Sequence, residues 1–97
     1  MAAFLVVTLQ VSDTPAFNAY RDAIAGLEAD YGGRYLVRAP VLDRLEGEGP
    51  DDERVVVMAF PDAQSVRNFI GSDAYQAAKR LRAGAAALNM RLVTEDL

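Results

Sequence analysis

The order in which two kinds of apolar pattern follow one another is the feature that most constrains the fold of this chain. Apolar residues alternate or run together, as in buried strands, in four short segments at residues 3–11, 34–39, 54–60 and 89–95. After the first and the third segment, apolar residues recur every three or four positions, as in amphipathic helices. This order, β-α-β-β-α-β, predicts an α+β, ferredoxin-like sandwich in which both helices cover one face of a four-stranded antiparallel sheet.

Capping residues indicate where the predicted helices begin and end. Residues 12–15 supply N-cap oxygens and a proline, and the helix that follows is expected to continue to the glycine pair at 32–33. A second helix is expected to begin at 61–62, to break at Gly71, and to resume after Ser72. The alanine-rich residues 83–87 are predicted to form its end. The apolar stripe of the first helix consists of Phe17, Tyr20, Ile24, Leu27 and Tyr31.

Size and composition exclude several kinds of chemistry. The 97 residues, 52% of them hydrophobic, predict a single domain over 1–97 with a modest core. The chain contains no cysteine and no histidine, so thiolate nucleophiles, catalytic triads with histidine, and imidazole or thiolate metal sites are excluded. We therefore expect no metal and no cofactor, and proton transfer would depend on Asp, Glu, Tyr, Lys or Arg.

The charge pattern argues against nucleic acid and membrane partners. The net charge is −4, and six of the 14 acidic residues lie between positions 43 and 53, so one loop is acidic and the rest is nearly neutral. Nucleic-acid binding proteins usually carry a basic surface instead. No apolar run approaches the roughly 18 residues that cross a bilayer, and no basic residues precede the first apolar stretch. A cytoplasmic location is the expectation.

The predicted sheet has one face that the helices cannot cover. If the side chains of each strand alternate regularly between the two faces, that face is apolar. Its area is then too large to remain exposed in a soluble monomer. A homodimer in which two sheets pack face to face and close a barrel is the simplest solution. The residues assigned to the uncovered face are Phe4, Val6, Leu36, Val56, Met58 and Phe60.

Five short segments together resemble a known family. They are YGGRYLVR at 31–38, LEG at 45–47, RVVV at 54–57, FP at 60–61 and SDAYQ at 72–76. In this order and spacing they resemble the small bacterial family called domain of unknown function 1330, of the dimeric α/β-barrel superfamily, over essentially the whole chain. One departure is Ala39-Pro40, where members of that family tend to have glycine.

The resemblance implies a ferredoxin-like protomer and a homodimer but no particular activity. Members of the wider superfamily include cofactor-free monooxygenases, lactone isomerases and haem enzymes. Several of these depend on histidine, which this chain lacks. That absence argues against haem binding and against an oxygenase mechanism assisted by histidine.

Polar residues within the predicted strands are the candidate ligand-binding groups. Arg38 and Arg54 lie in neighbouring strands, and Glu46 lies in the hairpin that joins them, so a carboxylate between two guanidiniums is expected. The alternative is a solvated ion pair that only closes the hairpin. Tyr20 and Tyr35 are candidate phenol donors, although a tyrosine on an apolar face is more often a core residue.

Three classes of function remain open from the sequence. The favoured interpretation is a homodimer that handles a small acidic or carbonyl-bearing molecule in a pocket between sheet and helices. The alternatives are a cofactor-free isomerase or monooxygenase-like enzyme and a non-catalytic structural or interaction dimer. A ferredoxin-like RNA binder is disfavoured by the acidic balance and by the lack of paired aromatic residues on a basic strand.

Overall fold

The computed structural model of the protein describes residues 1–95 and confirms the predicted ferredoxin-like architecture. Its four strands form one antiparallel sheet in the order β2-β3-β1-β4. The elements in chain order are β1 (Ala3–Val11), α1 (Thr14–Ile24), β2 (Arg34–Pro40), β3 (Arg54–Phe60), α2 (Ala63–Gly71), α3 (Asp73–Lys79) and β4 (Ala86–Thr94). Short 3₁₀ helices follow α1 at Leu27–Tyr31 and α3 at Arg80–Arg82. None of the helices in 1–95 is long and apolar enough to cross a membrane.

The core lies between the helices and the inner face of the sheet. On the central strand β1, Leu5, Val7 and Leu9 are all buried, as the alternation predicted. Phe17 of α1 and Phe69 of α2 complete the same buried cluster from the helix side. Burial of these large apolar side chains is the main favourable contribution to folding.

The first helix is shorter than predicted. Asp13 caps it by accepting a hydrogen bond from the Ala16 N–H at 3.1 Å, but α1 ends at Ile24 and not at the glycine pair. Gly26 has a φ of 81°, a left-handed conformation that glycine adopts without strain and that ends the helical path. The 3₁₀ helix that follows keeps Leu27 against the core, which is why the apolar stripe looked continuous.

The prediction that residues 83–87 end a helix is wrong. Gly84 has a φ of 74°, and β4 begins at Ala86, which pairs with Val11 of β1. The carbonyl of Ala85 accepts hydrogen bonds from the backbone N–H groups of Ser12 and Asp13, at 2.8 and 3.1 Å. The long pairing with β1 therefore overrides the helical propensity of alanine.

The predicted phase of β3 is also wrong. Met58 is paired with Leu5, so both side chains point to the same face, and Met58 is only 4% exposed under the helices. Val56 and Phe60 follow the same alternation and face the helices too. The pattern could not show this, because every residue from Val55 to Phe60 is apolar.

The face of the sheet that the helices leave uncovered is apolar on β1, β2 and β3, and its edge strand β4 adds the exposed Arg91 beside Val6. Phe4 and Val6 lie on it as predicted, and Leu36 is 44% exposed at an irregularity of β2. We call this surface the open face, formed chiefly by Phe4, Val6, Val37, Val55 and Val57.

Candidate functional site

A cavity of about 540 Å³ lies between α1 and the inner face of the sheet. Its floor is apolar and comes from three neighbouring strands, with α1 and the turn after it along the opposite side. The floor consists of Leu5, Val7, Leu9, Val56, Met58, Leu88 and Met90. A cavity of this size is typical of small-molecule sites, which span about 300–1,000 Å³.

Two of the predicted site residues, Tyr35 and Arg38, lie together on β2. Simple alternation would put them on opposite faces, but the β2–β3 register shifts between Tyr35 and Val37, where Leu36 is the extra residue. The shift turns both side chains toward the cavity. The Arg38 Cζ lies 4.3 Å from the centroid of the Tyr35 ring, a cation–π contact.

Arg54 and Arg21 are the other basic residues of the cavity. Arg21 was not selected from the sequence. Arg54 begins β3, and its cross-strand partner Leu9 shows that it belongs to the helix-facing side of the sheet. Arg21 reaches the cavity from the last turn of α1. Arg21, Arg38 and Arg54 therefore approach the same space from three different elements.

The structure does not bring Glu46 to Arg38 and Arg54. Strand β2 ends at Pro40, and the Val41 N–H donates to the Glu53 carbonyl at 2.9 Å, so the hairpin closes before the chain reaches Glu46. Glu46 is exposed in an irregular loop and does not line the cavity. The ion pair of this loop joins Arg44 Nη2 to Glu53 Oε1 at 2.8 Å.

Tyr20 lies at the buried end of the cavity, in a polar cluster. Its hydroxyl is hydrogen-bonded to that of Tyr75 at 3.1 Å, and both residues are almost fully buried. Arg82 Nη2 donates to the Tyr75 hydroxyl at 3.4 Å, and the Arg82 guanidinium lies 5.0 Å from the Tyr20 ring centroid. The Tyr75 hydroxyl also contacts Met90 Sδ at 4.0 Å.

Burial raises the pKa of Tyr20 and the pKa of Tyr35. The pKa of Tyr20 is strongly raised by burial and by the hydrogen bond and charge of Tyr75, with a smaller opposing effect of Arg82. The pKa of Tyr35 is raised by burial and by the negative charge of Glu28, while Arg38 and Arg21 act against these effects. Both tyrosines are therefore hydroxyl donors at neutral pH, and neither is a phenolate base.

Three polar residues of this region were missed by the sequence analysis: Arg21, Glu28 and Arg82. Glu28 Oε2 and Arg82 Nε are buried without a hydrogen-bond partner in the part of the chain that the structure describes. Arg21 and Glu28 flank the apolar stripe of the first helix, a signal that could have selected them. Arg82 gave no such signal, because only the packing of its 3₁₀ turn against α1 brings it to Tyr20.

Metal ligands do not converge within residues 1–95. No group of three or more Asp and Glu side chains lies close enough together there to hold a metal ion. The acidic residues that face the cavity are Asp22 and Glu28. The charged side chains of the cavity are thus three arginines and two carboxylates.

The fold is that of a ferredoxin-like α+β domain, with a cavity under its first helix. The chain belongs to the family described as domain of unknown function (DUF1330), whose model matches residues 2–96. A search of curated proteins found no match.

Solved structures share this fold at low sequence identity. A protein of unknown function from Rhodopseudomonas palustris is 14% identical with a TM-score of 0.80, covering 99% of this chain and 83% of that one. A dimeric ferredoxin-like protein of unknown function from Jannaschia sp. CCS1 is 14% identical with a TM-score of 0.72, covering 97% and 99%. The cofactor-independent oxygenase SnoaB from Streptomyces nogalater is 13% identical with a TM-score of 0.68, covering 99% and 94%.

Proposed function

We propose that this protein is a homodimer that binds a small acidic or carbonyl-bearing molecule in the cavity under α1. The observation that carries the proposal is the convergence of Arg21, Arg38 and Arg54 on one cavity with an apolar floor. Guanidinium groups are suited to carboxylates because they donate two parallel hydrogen bonds in a fixed plane.

The local charge supports an acidic ligand. The chain as a whole is negative, at −4, whereas the cavity is lined by three arginines and two carboxylates, Asp22 and Glu28. The charged residues that line the cavity therefore sum to +1, which favours an anion. The protonated hydroxyl of Tyr35 adds a donor for a carbonyl oxygen, whereas the Tyr20 hydroxyl is already hydrogen-bonded to Tyr75.

The apolar floor of the cavity supports the inference that the same molecule also carries an apolar group. Leu9, Val56 and Met90 offer aliphatic and thioether surface in the cavity that the arginines and the tyrosine pair also line. A ligand with a carboxylate, a carbonyl and a compact apolar group would match each part of the cavity. Phenylpyruvate has these three features and is a suitable probe of the cavity.

The open face supports the homodimer. Val37 and Val93 are 45% and 43% exposed, and Phe4 and Val6 lie between them on the same surface. An apolar sheet surface of this kind, with Arg91 at its β4 edge, is characteristic of an interface. The similar protein from Jannaschia sp. CCS1 is described as dimeric, which supports a second copy of this chain as the partner.

A cofactor-free enzyme is the second candidate function. The similar protein SnoaB is described as a cofactor-independent oxygenase. In this chain the observation that favours catalysis is a carboxylate, Glu28, facing the same cavity as the tyrosine hydroxyls and arginines. A dimer with only a structural role would have no need of such a polar cavity.

Isothermal titration calorimetry with phenylpyruvate, benzoate and the neutral analogue benzamide tests the proposal. The parent should bind the two acids and not the amide, and Arg38→Ala and Arg54→Ala should each weaken binding of the acids about tenfold or more. Arg38→Lys should not restore the affinity, because lysine lacks the planar fork. Arg67→Ala, which removes an exposed arginine of α2 away from the cavity, is the matched control. Equal binding by all variants would overturn the proposal.

A further inference from the structure

One oxygen of the Glu28 carboxylate is buried beside the cavity without a donor. Glu28 lies in the 3₁₀ helix Leu27–Tyr31, directly after the left-handed turn at Gly26, and both residues line the cavity. Its Oε2 atom has no hydrogen-bond partner in the described part of the chain. A buried carboxylate oxygen without a partner is costly, and a hydrogen-bond donor or proton brought by a bound molecule would remove that cost.

Glu28 lines the same cavity as Tyr35, Arg38 and Arg21, which are groups that can stabilise an oxyanion. Its negative charge acts directly on the phenol of Tyr35, and the positive charges of Arg38 and Arg21 act on the same phenol. The Arg38 guanidinium lies on the Tyr35 ring at 4.3 Å. A carboxylate, a neutral hydroxyl donor and guanidinium donors therefore line one cavity.

We infer that Glu28 is a general base that removes a proton from the carbon next to the carbonyl group of the bound molecule. The inference rests on the proposed function, since it requires a carbonyl-bearing ligand in this cavity. The activity is a proton transfer that interconverts keto and enol forms, and its substrates are small acids with an enolisable carbonyl group.

The reaction is balanced without any other reagent. The C–H bond breaks, its proton passes to the Glu28 carboxylate, and its electron pair forms the C=C bond of an enolate. The negative charge moves to the former carbonyl oxygen, where the Tyr35 hydroxyl and the Arg38 guanidinium donate hydrogen bonds. The protonated Glu28 then returns the proton to that oxygen, which gives the enol, or to carbon, which regenerates the ketone.

A purely structural role for Glu28 makes a different prediction. If its charge only balances Arg21 and Arg38, then Glu28→Gln should lower stability and leave any proton transfer intact. If Glu28 is the base, the isosteric amide should keep the fold and abolish the proton transfer. Glutamine also removes a negative charge near the arginines, so an acid should bind the variant at least as tightly as the parent.

Exchange of the C3 protons of phenylpyruvate for deuterium, followed by proton NMR in D₂O, separates these roles. The parent protein should accelerate the exchange over buffer alone, and Glu28→Gln should lose about 100-fold or more of that acceleration. Calorimetry on the same samples should show that the variant still binds phenylpyruvate. Glu48→Gln, an exposed residue of the loop after β2, is the matched control and should exchange like the parent.

The outcomes separate the inference from the proposed function. Binding by the parent without accelerated exchange overturns the inference and leaves the proposed function standing. Full exchange by Glu28→Gln overturns it as well, because another group must then accept the proton. If the parent does not bind phenylpyruvate at all, the proposed function fails and the inference fails with it.

Discussion

The guanidinium of Arg38 rests on the ring of Tyr35, with its Cζ 4.3 Å from the ring centroid, although regular alternation along a strand would place the two side chains on opposite faces. The register shift next to Leu36 makes the contact possible. One additional residue in an edge strand thus brings a cation and a phenol to the same cavity. Bulges commonly aim side chains in this way beside functional sites.

The open face should tolerate no charge if it is the dimer interface. Val57→Asp places a carboxylate in the middle of that face, between Val6 and Val37. We expect the variant to dissociate or unfold, because a buried unpaired carboxylate is strongly destabilising. Analytical ultracentrifugation at low micromolar concentration measures this. Ala19→Asp, which adds the same charge to an exposed position of α1, should stay dimeric. A parent protein that sediments as a folded monomer would contradict the dimer.

Met58 should behave as a core residue and not as an interface residue. Met58→Ala removes a side chain that is 4% exposed beneath the helices, so we expect a loss of about 2–5 kcal/mol in the free energy of unfolding. Urea denaturation measures the loss. The variant should sediment like the parent under conditions in which it is folded. A change in assembly with unchanged stability would show that the phase of β3 is misassigned.

The buried tyrosine pair should be energetically coupled. Tyr20→Phe removes one partner of the 3.1 Å hydrogen bond and should cost about 1 kcal/mol of stability. Tyr75→Phe should cost more, because the Tyr75 hydroxyl also accepts from Arg82. Urea denaturation of both variants and of the double variant gives the coupling energy. Strict additivity would mean that the two hydroxyls do not interact.

The N-cap of α2 should contribute to stability in a pH-dependent way. The Ser65 N–H donates to Asp62 Oδ1 at 2.7 Å, and this hydrogen bond holds the Asp62 pKa below its ordinary value of 3.8. Because the folded-state pKa is the lower one, the contribution is present above pH 3.8 and is lost as the pH falls through the folded-state value. Asp62→Ala should therefore lower the melting temperature at pH 7. The difference from the parent should shrink toward pH 2, and a difference independent of pH would refute this assignment.

The order of the elements was predictable because few segments of this sequence fit both the two-residue period of a strand and the 3.6-residue period of a helix. Residues 3–11 alternate clearly enough to assign both the strand and its buried face correctly. The face of β3 was not predictable, since valine at 55, 56 and 57 fits either phase and only pairing with β1 decides between them. The beginning of β4 was missed for a related reason. Its first residues, Ala86 and Ala87, favour a helix locally and form a strand only through their pairing with β1.

The candidate site was predictable only in part, because it depends on the register shift in β2 and on the course of the loop after it, which the apolar patterns do not show. Tyr20, Tyr35, Arg38 and Arg54 all line the cavity, yet regular strand alternation would have separated the second and third of these. Glu46 was selected on the assumption that the hairpin is tight. The hydrogen bond from Val41 to Glu53 closes the hairpin early and releases the loop that carries Glu46.

The measurement that tests the central claim most directly is a titration of the ¹⁵N-labelled protein with phenylpyruvate, followed through its backbone amide signals. If the cavity under α1 is the binding site, the largest shifts should fall in two segments, residues 20–28 of α1 with the turn after it and residues 35–39 of β2. The acidic loop at 43–53 should serve as an internal reference that does not move. Shifts confined to that loop or to the open face, with the amides of Arg21 and Arg38 unchanged, would contradict the account.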